Sequence, residues 1–500
     1  MCCGYNTRVC YALEFSLAMQ GELINDKMSA TASTFILCTC LMSCQQFVVG
    51  CSYVFSSILL AKLKEPTSTI KIDTEDSSWI ASAPILVCPV GLLIVGILTD
   101  TLGRRKALQV GYLSLIISWL VLAYANSLRA IMIGRTILGI GLGSGTCVYL
   151  YLAEVSPTKY RPLYFSVVTI FVGMGMVAES VLSMFFEWRT VSLILFVFST
   201  INCALLFLVP ETPMWLRTRG RSQEADAAEA WLCMEPVVAT VSASTVAPVS
   251  TLTINGDDHL CDENGITATR QPTNTAYWSL FTGPAVWKPA LITVLFFVFQ
   301  QGSGFYVLLF YSVDVLNDCR VQWDGVTVTA FLSLARVIGS VVYAMLHHVR
   351  RKTLVVVSGG GMALSLAIII VYMRMYKDVT SPPYGEVLVF AFIAYVFFAL
   401  LAMLPLPWTI CGEVFPMAVK GVMGGIVQVF GYELMFLVIK VFPAFVSTFG
   451  MECVWSVFTI FSFGSALFGA FIMPETKGKS LNEILSSFDS RKKSMKNNLP

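Results

Sequence analysis

The residues EVSPTKYR at 154–161 return as EVFPMAVK at 413–420, about 260 residues later. Both copies read Glu, Val, any residue and Pro, with a basic residue four positions after the proline. Each closes an apolar run, and each is followed by two more such runs that end on a second echo, PETPMWL at 210–216 and PETKGKSL at 474–481. A chain that writes the same construction twice is expected to fold as two like-built halves.

What kind of half is set by the apolar runs themselves. Crossing a bilayer takes a helix of ~20 apolar residues, and twelve runs meet that length: roughly 35–61, 77–99, 107–128, 130–153, 162–186, 190–210, 289–313, 325–346, 353–373, 387–412, 421–446 and 452–473. With 56% hydrophobic and only 13% charged residues, 500 residues cannot dress a soluble surface. The expectation is an all-α polytopic membrane protein of twelve transmembrane helices in two six-helix parallel repeats. Five segments follow: an N-terminus over 1–34, a six-helix bundle over 35–210, a linker over 211–288, a second bundle over 289–473, and a tail over 474–500. In the linker, RTRGRSQEADAAEAWLCM reads as a short amphipathic helix. The Ser/Thr-rich remainder has no period and is expected to be disordered.

Orientation follows from basic residues in short loops. Arg104, Arg105 and Lys106, Lys159 and Arg161, Arg350 to Lys352, and the C-terminal Arg491, Lys492, Lys493 and Lys496 fall on one side of a twelve-span alternation. That side is expected to be cytoplasmic, with both termini on it. Charges at the N-terminus (Arg8, Glu14, Glu22, Asp26, Lys27) do not fit a cleaved signal peptide of ordinary form.

Several classes are excluded. The net charge of +2 makes no basic groove for nucleic acid. The fifteen cysteines have no metal-ligand spacing, and Cys38, Cys40 and Cys44 on the first span read as small hydrophobes. No phosphate-binding Walker loop and no catalytic constellation stands out. No cofactor or metal is expected, and the chain does not read as an enzyme.

The ordered motifs resemble those of the sugar porter family of the major facilitator superfamily. GILTDTLGRRK at 96–106 is similar to its loop between spans 2 and 3, and GRTILGIGLGSG at 134–145 to its fourth span. QQGSGF at 300–305, PLPW at 405–408 followed by GEVFP, and the closing PETKG complete the series. The resemblance covers about 35–485, and the ending and loop pattern are most like the facilitated trehalose transporter branch. It implies a plasma-membrane facilitator for a sugar, with a small solute and the lipid bilayer as its partners. A non-transporting sugar sensor and a carrier of another small metabolite are the alternatives.

Asp100, Arg104, Arg105, Glu154, Arg161, Glu413 and Lys420 alternate in sign at the cytoplasmic helix ends, and are expected to latch those ends together when the protein opens outward; the alternative is a solvated loop surface that only sets topology. The resemblance implies solute-binding roles as well. Gln300, Gln301 and Trp408 match the family's solute-binding positions. Elsewhere the pattern departs: Tyr306 stands for an asparagine, Thr169 for a glutamine, Leu404 for a glycine, and Gly431-Tyr432 for an Asn-Trp pair. These changes lower polarity or add bulk, so an altered pocket or a closed one follows. In the loop HHVRRK, His347 replaces an acid and Arg350 a glycine.

Charges inside apolar runs are costly and mark function. Arg135 lies in span 4, where proton-coupled members of the family pair it with a span 1 acid; QQFVVGCSYVFSSILL has none, so coupling through that pair is not expected. Glu179 on span 5 and Arg336 on span 8 are expected to pair across the two halves, with Glu433 on span 11 as the alternative partner for the arginine. The glycines of span 4 are assigned to helix packing, without contact to solute.

Overall fold

The computed structural model describes residues 28–156, 161–232, 283–379, 382–411, 414–416, 419–475 and 477. The expected disordered part of the linker, the C-terminal tail beyond 477, Glu413, and the side chains of Arg161, His347 and Lys420 lie outside the described residues.

The twelve spans appear in order. Span 1 is Met28–Lys64, span 2 Thr74–Thr101, span 3 Arg104–Ala123, span 5 Arg161–Phe185 and span 6 Trp188–Leu205. Span 8 is Gly325–Met345, span 9 Arg351–Met375, span 11 Lys420–Phe449 and span 12 Met451–Phe471. Spans 4 and 10 are each broken once, as Leu128–Leu142 with Gly145–Val155 and as Glu386–Leu401 with Pro405–Cys411. Span 7 is broken twice, into Pro284–Gly302, Phe305–Phe310 and Ser312–Asp318. Eleven described helices are therefore long and apolar enough to cross a membrane uninterrupted in composition, and the twelfth crossing is made in pieces. Past span 6 the chain forms two short helices, Pro213–Thr218 and Ser222–Trp231, the second within the stretch read as amphipathic.

Local chemistry explains where spans begin. Asp73 and Asp76 form a reciprocal capping box at span 2, the amide of Asp76 donating to Asp73 Oδ1 at 2.6 Å. Asp324 accepts from the amide of Thr327 at span 8, and Ser127 from that of Ala130 at span 4. The first break in span 7 falls at Gly304, whose φ of +81° is open to glycine at little cost.

The duplication is visible in which helices touch. In the first half, span 1 packs on 5 and 6, span 2 on 4, and span 3 on 4 and 6. In the second, span 7 packs on 11 and 12, span 8 on 10, and span 9 on 10 and 12. Adding six to every number in the first set gives the second. The seam between the halves obeys the same rule, since span 5 packs on 8 and span 2 on 11.

Glycine allows these approaches. A Cβ on Gly139 of span 4 would lie 2.3 Å from the carbonyl oxygen of Pro84 in span 2, and one on Gly143 2.3 Å from the amide nitrogen of Leu92. Backbone on backbone leaves nothing to rotate away, so a side chain there must push the helices apart. Gly139→Val is expected to lower the thermal-shift midpoint of purified protein strongly or to abolish a monodisperse preparation. Gly96→Ala on span 2, where nothing lies within 4 Å of the added carbon, should leave both unchanged.

Candidate functional site: the seam between the halves

Two clusters of charge sit at the end of the bundle that carries the Arg104–Lys106 and Arg350–Lys352 loops, called here the basic end. In the first half, Glu154 Oε1 accepts from Arg104 Nε at 3.0 Å and Nη2 at 2.7 Å. Arg105 donates to the carbonyl of Val209 at 2.9 Å. Glu211, from the PETPMWL motif, accepts from the backbone amides of Arg104 at 2.8 Å, Arg105 at 3.1 Å and Thr212 at 3.1 Å. It thereby closes the start of span 3, where free amides and the helix dipole favour an anion. Gly103 leaves the room: its φ is +100°, and a Cβ would meet Glu211 Oε2 at 2.4 Å. Glu475 does the same for span 9, accepting from the amides of Arg351 and Lys352, both at 3.3 Å, and of Lys477 at 3.0 Å. Lys477 Nζ in turn donates to the carbonyl of His348.

Of the charges assigned to a latch, Arg104, Arg105 and Glu154 are held within the first half. Asp100 has an 81% exposed side chain, 3.9 Å from Arg104. The contacts of Arg104, Arg105 and Glu154 described above all lie within that half.

The far end differs. Ser57 Oγ of span 1 accepts from the hydroxyl of Ser312 and from the amide of Val313, each at 2.9 Å, at the second break of span 7. Lys64 pairs with Asp314 at 2.8 Å. Tyr53 lies against Phe310, centroids 5.7 Å apart. Between spans 2 and 11, Lys440 donates to Ser78 Oγ at 2.6 Å and lies 3.9 Å from the centre of the Trp79 ring. The Trp79 and Phe436 rings lie side by side. Lys440 stands inside the eleventh apolar run, and its charge was the available signal that sequence reasoning passed over.

Mid-membrane, the expected solute positions fall into two kinds. Gln300 Nε2 donates to the carbonyls of Met403 at 3.1 Å and Leu404 at 2.9 Å, which serves the break in span 10. Gln301 makes only 3.4 Å contacts, to Gly431 and Gln300, and its Oε1 is buried without a partner. Trp408 packs edge-on to Phe297 and against Tyr432, each with centroids 4.8 Å apart, and the Tyr306 phenol lies against it. Thr169 is half-buried; its hydroxyl bonds back to the Phe165 carbonyl at 3.2 Å and lies beside Tyr149. The structure brings Gln300, Gln301, Tyr306, Trp408 and Tyr432 together, with Thr169 across the seam.

The first half carries its own glutamine pair. Gln45 Nε2 donates to Ser144 Oγ at 2.9 Å, at the break in span 4. Span 1 serves span 4 as span 7 serves span 10. The repeated Gln-Gln, at 45–46 and 300–301, was the sequence signal for it.

Arg135 is fully buried and is held by neutral groups: the carbonyls of Ile80 at 3.0 Å and Ser52 at 3.5 Å, and the hydroxyl of Ser56. Glu179 and Arg336 do lie on packed helices, but the expected pair is not formed, and the reason is helical register. On span 5, Gly173 meets Val337 and Ser180 faces Ser333 of span 8. Glu179 stands four residues after Gly175, which abuts Phe47 and accepts from Cys51 Sγ, so it shares the face turned to span 1. Its Oε1 accepts from Ser183 at 3.3 Å and its Oε2 has no partner. Glu433 lies within electrostatic range of Cys88 on span 2 and is not among the groups acting on the arginine. Arg336 instead looks onto the seam, its guanidinium carbon 5.7 Å from the Phe305 ring centre and its nearest electrostatic neighbours the phenols of Tyr306, Tyr53 and Tyr149.

Two bundles of one pairing scheme, joined at the far end and meeting around a buried set of amides and rings, define a multi-pass membrane protein of the major facilitator fold. The model of the "Sugar (and other) transporter" family matches residues 31–488, and the chain belongs to that family. Among curated relatives, the facilitated trehalose transporter Tret1 of Apis mellifera ligustica is 26% identical over 458 residues, covering 91% of this chain and 88% of the relative. The Tret1 of Polypedilum vanderplanki is also 26% identical, covering 90% and 87%. Among solved structures, the xylose transporter XylE from E. coli in a partially occluded inward open conformation aligns with a TM-score of 0.70 at 18% identity, covering 90% of this chain and all of that one. The expected fold and family are thus both found, and the relatives are transporters, not enzymes.

Proposed function

We propose that this chain is a facilitative carrier that moves a sugar, a hexose or a trehalose-like disaccharide, across the plasma membrane by alternating access. The observation that supports the reading is a buried, unpartnered amide oxygen on Gln301 beside the Trp408 and Tyr432 rings, at the seam between two like-built halves. The halves are hydrogen-bonded and ion-paired across the far end through side chains that can part. Rocking the bundles over 35–210 and 289–473 about a solute held there would open the site to each side in turn. The linker over 211–288 tethers them. Basic loops favour the cytoplasmic side for the end that carries them and for both termini.

Sugar hydroxyls leave water only for other hydrogen-bond partners and an apolar ring face. Gln301 Oε1, buried and unpartnered, supplies an acceptor, and Trp408 with Tyr432 supplies the face. Arg135 is satisfied by carbonyls and a hydroxyl, which supports transport without a proton passing through that residue.

The test is uptake of labelled glucose and trehalose into vesicles containing purified protein. Saturable uptake of one or both is expected. Gln301→Ala should weaken apparent affinity by roughly tenfold, the worth of one buried hydrogen bond to solute. Solute binding without any uptake would turn the reading toward a sensor.

A further inference from the structure

Among the described residues Arg336 has no counter-ion. The residue is 7% exposed, and among the described residues neither Nε nor Nη1 has a hydrogen-bond partner. Glu179 is turned to span 1, and neither it nor Glu433 is among the groups acting on the arginine. A guanidinium held in low dielectric with idle donors is costly unless something accepts from it, and such a residue inside a membrane bundle marks a ligand path. Its surroundings come from both halves: Tyr53 of span 1 and Tyr149 of span 4 on one side, Tyr306 and Phe305 of span 7 on the other. None of the four supplies a negative charge. Three carry phenols able to hydrogen-bond a polyol or an oxyanion, and Tyr306 also touches Trp408, which ties the arginine to the proposed solute position.

We infer that the central site takes an anionic solute, a carboxylate-bearing sugar or polyol, with Arg336 as the group that binds the carboxylate and the Tyr53, Tyr149 and Tyr306 phenols around it. This deepens the carrier reading and rests on it. Guanidinium matches carboxylate through two parallel N–H···O bonds, which a neutral hydroxyl cannot return. The unpartnered Nε and Nη1 are two donors left for such a fork.

The experiment uses full-length protein in detergent and in vesicles, with D-glucuronate and D-glucose as probes. For the wild type, glucuronate should raise the thermal-shift midpoint more than glucose at equal concentration, and should compete with labelled glucose or enter the vesicles itself, carrying net negative charge that a membrane-potential dye reports. Arg336→Gln should lose at least tenfold in apparent glucuronate affinity, and by a larger factor than it loses for glucose. Arg336→Lys keeps the charge without the fork and should fall between. If the wild type moves glucose but neither binds nor is inhibited by glucuronate, the anion assignment is overturned and the carrier stands. The same holds if Arg336→Gln, still monodisperse, binds glucuronate as before. Should the wild type bind glucuronate and pass neither solute, the anion site survives and the carrier reading fails. If it binds and moves neither, both fall. The wild-type arm needs no variant, so a misfolded Arg336→Gln would not shield the proposal.

Discussion

Oxidising the double variant Ser57→Cys/Ser312→Cys is expected to stop solute flux, and reducing it to bring flux back. The two hydroxyl oxygens lie 2.9 Å apart across the far end of the seam, close enough for small side-chain rotations to reach a disulfide of about 2 Å. That bond would join span 1 to span 7, and hence one half to the other, in the arrangement seen here. A carrier must leave this arrangement once in every cycle. A covalent tie removes the other arrangement from the ensemble, so flux should drop by at least roughly tenfold rather than by a fraction. Each single variant, and the double variant under reductant, should transport within about twofold of the parent, since a thiol replaces a hydroxyl of like size there. The chain's own cysteines make the single variants the necessary control. Undiminished uptake by a fully cross-linked sample, with cross-linking verified by mass spectrometry, would dismiss the rocking of these two halves as the transport step.

Replacing Glu211 by alanine should do comparable damage through stability. Its carboxylate collects three backbone amides, two of them at the start of span 3, and the Arg104–Glu154 pair is built on the same turn. Stranding buried donors costs about 1–3 kcal/mol apiece, more to a charged acceptor. With part of that recovered by water at the membrane edge, a loss of roughly 2–4 kcal/mol is expected, seen as a thermal-shift midpoint lowered by about 2–4 °C in a chain of 500 residues. Glu211→Gln keeps an acceptor and should cost about half as much. The second half offers a graded comparison. Glu475 makes the same closure on span 9 with bonds of 3.3, 3.3 and 3.0 Å, so Glu475→Ala should fall short of Glu211→Ala. Equal midpoints for Glu211→Ala and the parent would show that the motif's glutamate caps nothing that matters to the fold.

Much of this architecture could be read from the chain alone, because its determinants are local or repeated. Twenty apolar residues in a row have few fates in water or lipid, and two copies of one loop motif define two halves before any contact is known. What stayed hidden was set by register and by breaks. The run over 289–313 looks continuous, and only the left-handed turn at Gly304 and the step at Tyr311 divide it into three helices. Glu179 and Arg336 were placed on the right helices. One position along a helix turns a side chain by about 100°, though, and that sets Glu179 against span 1 while Ser180 meets span 8. Likewise Gln300 and Gln301 are adjacent in sequence and alike in chemistry. One is consumed by the carbonyls of a broken helix, and the other keeps a free oxygen for a visitor. Lys440 needed only to be counted.

The closure between Ser57, Ser312, Lys64, Asp314 and Lys440 has a further meaning for the direction of traffic. It consists of a few hydrogen bonds, one of them from the Lys440 ammonium over the Trp79 ring, and an ion pair with 46% and 18% of its side chains in solvent, contacts worth from under one to about three kilocalories per mole each. A door so lightly held swings at ambient temperature and stores no appreciable work. Such a device has no preferred way to run. Like a canal gate left to the water, it would pass cargo toward whichever compartment is poorer in it, and cells could reverse its service simply by changing what they metabolise.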